Sequence, residues 1–136
     1  MANAWLFRGT HQVQGRKRII HQYNTGLEFL RYGRIVLGDK GGSIDVDSQD
    51  EEMGFVCLKG NGSVKVEGKT FSLGKYDALY MPRDSHCSIT SQAAFDLAEV
   101  AAPSSKKYPV QFVRFEEVKK NPDLAKQAGF EPYARN

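Results

Sequence analysis

The amino-acid sequence predicts an all-β fold, a barrel or jelly roll with a short helical tail, and three observations carry that prediction. Between Leu27 and Val113, short runs rich in Val, Ile, Phe, Leu and Tyr are separated by glycine-containing turns, which is the spacing of a β sandwich or barrel. Helical periodicity is absent from the same stretch. In the segment SVKVEGKTFSL, Val64 and Val66 alternate with Lys65 and Glu67, so one face is apolar and the other wet, as in an antiparallel sheet.

Taken in order, residues 1–26 read as an N-terminal arm or edge strand, 27–115 as the barrel and 116–136 as a helical tail. The candidate strands are Leu27–Leu37, Ser43–Val46, Gly54–Lys59, Ser63–Val66, Lys69–Leu73, Ala78–Met81, His86–Thr90, Phe95–Ala101 and Val110–Phe115. Two turns are legible from residues that tolerate positive φ: Lys59-Gly60-Asn61-Gly62 and Glu67-Gly68, each expected to close a hairpin. In the tail, Asn121 is placed as an N-cap and Pro122 at the first helical position, with the helix ending before Gly129.

A length of 136 residues suits one domain that buries a core without disulfide or metal staples. No run approaches the roughly 20 apolar residues of a membrane span, and MANAWLFRGT lacks the apolar stretch of a secretory signal, so a cytoplasmic chain without a membrane partner is expected. Cys57 and Cys87 show no CxxC or CxH spacing and read as buried thiols. The net charge of +3 is mild, and the clusters Arg16 to Arg18 and Lys119 to Lys120 lack interleaved aromatics. Both read as solvated charge, which argues against a nucleic-acid partner.

From Leu27 to Pro103 the chain reads LEFLRYGRIVL, then DEEMGFVCLKGNGSVKVEGKTFSLGKYDALYMPRDSHCSIT, then AEVAAP. A Glu before an apolar strand ending in Gly-x-Gly (Glu52 to Gly62), the DALYMP strand and the AEVAAP strand are its local signatures. This stretch resembles a cupin domain. More narrowly, it resembles one module of the bacterial sugar-acid isomerase family containing 5-deoxyglucuronate isomerase and 5-keto-4-deoxyuronate isomerase. The resemblance implies a cupin-type jelly-roll barrel and a ketol isomerase that interconverts aldose and ketose forms of a uronate-type sugar acid. The alternative from a different class is a non-catalytic, metal-free cupin that binds a small sugar acid or serves as a dimeric assembly module. Members of that family usually carry two such modules, the second holding the metal ligands, and the match is to the other module.

A cupin metal site takes an HxH pair and a Glu from the first motif and a His from the second. Where HxH would fall, the chain has Ser43-Ile44-Asp45-Val46-Asp47-Ser48-Gln49-Asp50, which offers only oxygen ligands before Glu52. The second motif reads Pro82-Arg83-Asp84-Ser85-His86-Cys87, with Cys87 at the histidine's position and His86 one residue early. Strand alternation turns His86 outward unless a bulge intervenes. The functional reading is a degenerate site of Glu52, His86 and His21, with Asp50 or Asp47 adding oxygen, for one divalent metal (Zn, Mn, Fe or Ni), and a metal-free chain stands beside it. In the latter reading His86 is a surface histidine and Cys87 packs as a small apolar residue. A reactive Cys87 thiol is a third possibility, which would need a neighbouring cation or base.

If the family's substrate class carries over, the ligand has a carboxylate and several hydroxyls, which calls for an arginine and amphipathic donors. Arg31, Arg34, Arg83 and Tyr80 are the candidate substrate-binding residues. Aldose-ketose isomerisation moves a proton between adjacent carbons through an enediol, and Glu52 is the candidate base with His86 the proton donor. The apolar Trp5-Leu6-Phe7 segment suits packing against a partner, and a homodimer is expected.

Overall fold

The computed structural model describes residues 6–125. The alternating runs build two antiparallel sheets that face one another. The six-stranded sheet has the order β1 (Gly15–Ile20), β2 (Arg31–Leu37), β9 (Phe95–Pro103), β4 (Glu51–Gly60), β7 (Ala78–Met81) and β10 (Gln111–Val113). The four-stranded sheet has the order β3 (Gly42–Asp47), β8 (His86–Ser91), β5 (Gly62–Val66) and β6 (Lys69–Leu73). The all-β expectation holds as a two-sheet sandwich. All nine strands expected from sequence occur, and β1 precedes them as an edge strand.

Each sheet contributes one parity of residues to the core. Ile35, Met53, Phe55, Leu79, Phe95 and Leu97 from the larger sheet meet Val46, Val64, Leu73, Cys87 and Ile89 from the smaller, all fully buried. At about 1.5–3 kcal/mol for each large aliphatic or aromatic side chain removed from water, this layer is the main favourable contribution to folding.

The two turns behave differently. Glu67 and Gly68, both at positive φ, close the β5–β6 hairpin with Val66 opposite Lys69. The Lys59–Gly62 turn closes no hairpin, contrary to expectation. β4 stays paired with β9 to Gly60 opposite Phe95, and β5 starts in the other sheet, so the turn carries the chain across the sandwich. Gly60 (φ 76°) and Gly62 suit that corner, where any Cβ would collide with the β8–β9 side of the sandwich.

The tail is also shifted from expectation. The regular helix α2 covers Phe115–Lys120, with Glu116 and Glu117 in its first turn and Lys119 and Lys120 in its last, as the helix dipole favours. Asn121 is extended (φ −102°, ψ 109°) because the following Pro122 disfavours helical geometry before it, so Asn121 ends α2. Its side chain still acts as a cap, accepting the Asp123 N–H at 2.9 Å over a following turn. Continuation of the expected helix towards Gly129 lies outside the described residues, as does Trp5. A single-turn helix α1 (Gln22–Thr25) joins β1 to the loop before β2.

Candidate functional site

The register of β1, β2 and β9 places charge where the pattern calls for core. Arg18 pairs with Gly33 and Gly33 with Glu99, so all three point to the inner face of the larger sheet. Gly33 has no side chain, and Arg18 therefore reaches Glu99 across it: Arg18 Nη2 donates to Glu99 Oε2 at 3.1 Å. Arg16, next along that face, makes a two-point contact with the same carboxylate, Nε to Oε1 at 2.5 Å and Nη2 to Oε2 at 3.1 Å. Glu99 is 1% exposed, and two guanidiniums account for both its oxygens. A buried carboxylate is tolerated on such terms.

A second carboxylate extends the cluster. Glu51 accepts from Arg18 Nη1 at 2.8 Å and lies 3.1 Å from Arg31 Nε. Arg31 Nη1 also donates to the Glu28 carbonyl. Burial alone would lower the affinity of Arg18 for its proton, but the hydrogen bonds to Glu51 and Glu99 outweigh it and raise the pKa above the ordinary arginine value. Glu51 is fixed by the turn Ser48–Glu51, in which Glu51 N–H donates to Ser48 O at 3.0 Å and Gln49 takes a φ of 55°. Ser48 is anchored in turn, donating to Pro82 O at 2.8 Å and accepting the Ser85 N–H at 2.9 Å.

These residues open onto a cleft of about 400 Å³ between β1, the edge of one sheet, and the turn that follows β3, the edge of the other. Arg16, Arg18, Asp47, Ser48, Gln49 and Glu51 line it. Its size falls within the range of small-ligand sites. Arginine forks, two carboxylates and the Gln49 amide are the complement of a polyol that carries an acid.

The residues singled out from sequence scatter over several surfaces. Arg31 belongs to the cluster just described. Glu52 and Tyr80 do meet, Tyr80 Oη donating to Glu52 Oε2 at 2.7 Å, but on the outer face of the six-stranded sheet. There they lie in an apolar depression of about 260 Å³ with Leu30, Gly54, Val100 and Ala102. Burial and then the Glu52 carboxylate push the Tyr80 hydroxyl up to about 12. Arg34 is locked by Asp96, which it meets through Nε at 3.0 Å and through Nη2, and its Nη1 donates to Thr10 Oγ1 at 3.0 Å. Arg83 donates to Asp84 Oδ2 at 3.0 Å and to the Ser104 carbonyl.

His86 faces outward from the four-stranded sheet, as strand alternation requires without a bulge. Its Nδ1 is 2.8 Å from Asp47 Oδ1 and its Nε2 3.8 Å from Asp45 Oδ1. His21 sits at the start of α1. The expected grouping of Glu52, His86 and His21 is therefore not assembled: the three occupy an outer sheet face, the opposite sheet's outer face and a loop-helix junction. Among the described residues no three His, Cys, Asp or Glu side chains converge as metal ligands. The inner faces of β3 and β8, where a cupin metal would sit, present Ile44, Val46, Cys87 and Ile89. This donor set does not fit a divalent metal.

Cys87 packs as a small apolar residue. It is fully buried, and burial pushes its thiol up to about 12, with Arg16 pulling the other way too weakly to compensate. Cys57 is likewise raised to about 11 by burial. Neutral buried thiols are poor nucleophiles.

Sequence reading missed Arg16, Arg18, Glu51 and Glu99. The signal for Glu99 was present in FDLAEVAAP, where it occupies the same parity as Phe95, Leu97 and Ala101. A carboxylate on the apolar face of a strand needs a cation, and Arg16 and Arg18 share a parity in an edge strand that reads as solvated charge.

The two-sheet antiparallel sandwich is a cupin-type fold, which it shares with solved cupin domains. The chain belongs to the KduI/IolB family, whose model matches residues 6–123. It is 25% identical over 116 residues to a 4-deoxy-L-threo-5-hexosulose-uronate ketol-isomerase from Cereibacter sphaeroides, covering 75% of this chain and 42% of that protein. In structure it resembles an IolB-like protein from Salmonella typhimurium (TM-score 0.69, 25% identity, 78% of this chain and 44% of the other). The cupin domain of Schizosaccharomyces pombe Cnp3 shares the fold (TM-score 0.55, 20% identity, 66% and 61% covered). The chain spans less than half the length of the ketol-isomerase and of the IolB-like protein. No described helix is long and apolar enough to cross a membrane.

Proposed function

We propose that this chain binds a uronate-type sugar acid in the cleft between β1 and the Ser48–Glu51 turn, and acts in aldose-ketose isomerisation by proton transfer. The observation that carries the reading is that two guanidiniums and two carboxylates line one cleft. Arg16 and Arg18, held by the buried Glu99, line the cleft beside Glu51 and Asp47, and Arg31 pairs with Glu51. The guanidiniums of Arg16 and Arg18 suit the carboxylate of a sugar acid, and its hydroxyls match Gln49, Glu51 and Asp47.

The chemistry follows from the positions of the groups. Glu51, unlike Glu52, lines the cleft and is the base that takes the proton from carbon in forming the enediol. It returns that proton to the neighbouring carbon, while the proton of the adjacent hydroxyl passes to the former carbonyl oxygen. Arg18, bonded to both carboxylates, supplies N–H donors to the oxygen that gains charge. Support for the substrate class comes from the family and from the ketol-isomerase relative.

A second reading, binding without turnover, is favoured by the failure of Glu52, His86 and His21 to converge. The two separate cleanly. Calorimetric titration with glucuronate and galacturonate reads binding, and proton NMR in D₂O reads deuterium entering carbon beside the carbonyl. Binding with deuterium incorporation supports isomerisation; binding without it leaves the sugar-acid-binding cupin; absence of binding removes both. The expected homodimer belongs to the same reading, with the apolar depression around Leu30 and Val100 as the pairing face, and sedimentation velocity showing only monomer would remove it.

A further inference from the structure

On the other side of Arg18 lies a second cavity, of about 490 Å³, formed where residues 6–13 pass over β1 and α1. Its charged and titratable lining residues are Arg8, Lys17, Arg18 and His21, and none of its lining residues is acidic. Among the described residues every other arginine has a carboxylate within 4.0 Å, and Arg8 meets no described carboxylate. Lys17 also forms no ion pair there, because its position opposite Arg34 turns it to the outer face, away from Glu99. Arg18, which also lines this cavity, has its Nε buried without a hydrogen-bond partner among the described residues. Arg8 and Lys17 are both exposed to solvent, and like charges that line one cavity favour an anion there.

We propose that this cavity is an anion site distinct from the sugar-acid cleft, and that its ligand class is the phosphate dianion, free or as a phosphate monoester. Arg8 and Lys17 supply two uncompensated charges, which match a dianion better than a single carboxylate. Asn24 and Thr10 offer neutral polar groups, while Leu6, Phe7, Val13 and Ile19 form walls able to cover the organic part of an ester. Arg18 lines this cavity and the cleft alike.

Calorimetric titration with inorganic phosphate and with glucose 6-phosphate, in constant 100 mM-scale sodium chloride to screen nonspecific charge effects, tests the site. The full chain is compared with Arg8→Gln, Lys17→Gln, the double variant and Lys106→Gln, an exposed lysine elsewhere. The expected result is saturable phosphate binding weakened about tenfold by each cavity substitution and unchanged in Lys106→Gln. Tighter binding of glucose 6-phosphate assigns the site to an ester, and equal binding assigns it to free phosphate. Phosphate binding unaffected by the double variant, or no saturable binding of either probe, overturns the proposal. Glucuronate binding measured on the same double variant keeps this outcome separate from the cleft, because neither residue lines that cleft.

Discussion

Arg18 and Glu99 meet across Gly33, a residue whose missing side chain is the space in which their ion pair forms. A Cβ on Gly33 would lie 3.3 Å from Glu99 Oε2, 3.1 Å from Arg18 Cα and 2.6 Å from the Lys17 carbonyl oxygen. Gly33→Ala is expected to destabilise the chain by about 1–3 kcal/mol through this overpacking, and to weaken sugar-acid binding as Arg18 is displaced. Urea unfolding and a glucuronate titration on the variant measure the two effects. Wild-type values for both would show that the crossing has slack.

Removing the carboxylate leaves the arginines without their shared partner. Fully buried pairs lose about 3–5 kcal/mol when broken, but Arg16 and Arg18 retain 32% and 26% side-chain exposure, so Glu99→Ala should cost about 2 kcal/mol. Glu99→Gln should cost less, since an amide oxygen still accepts from one guanidinium. Denaturant midpoints of the two variants provide the check, and equal costs would count against the ion pair as the dominant contribution.

The Cys87 thiol gives a pH signature. Its folded pKa of about 12 exceeds the unfolded value of 9.0, so its contribution to stability is complete below pH 9 and is lost as pH rises towards 12. The difference in unfolding free energy between the wild type and Cys87→Ala should therefore be flat from pH 7 to 8.5 and shrink above pH 9. In the native state at neutral pH neither Cys57 nor Cys87 should react with a thiol reagent at the rate of an exposed cysteine. Rapid native-state labelling at either position would contradict the burial.

Tyr80→Phe separates the outer face from the cleft. Losing the hydrogen bond to Glu52 should cost about 1 kcal/mol or less at this partly exposed position, while glucuronate affinity stays unchanged. A large fall in affinity would move the sugar-acid site to the apolar depression.

Much of the fold was legible because strands announce themselves by alternation and by turn chemistry: Val64 and Val66 against Lys65 and Glu67, and Glu67-Gly68 as a tight hairpin. The Lys59–Gly62 turn was misread because glycine-rich sequence signals a change of direction without saying which sheet receives the next strand. The site was less legible. Strand parity correctly turned His86 outward, yet Glu52 was chosen over Glu51, adjacent residues whose side chains point to opposite faces. Which parity faced inward on β4 is set by Met53, Phe55 and Cys57 packing against the other sheet, a tertiary fact. Arg16 and Arg18 were hidden for the same reason: their partner is 83 and 81 residues away along the chain.

The most direct test is calorimetric titration of the full chain with glucuronate, repeated on Arg18→Gln and Arg31→Gln. The cleft predicts saturable 1:1 binding that either substitution weakens by at least tenfold, with Arg83→Gln, on a separate surface, binding as the wild type does. Glucuronate binding unchanged by Arg18→Gln and Arg31→Gln, or no binding by the folded wild-type chain, would contradict it.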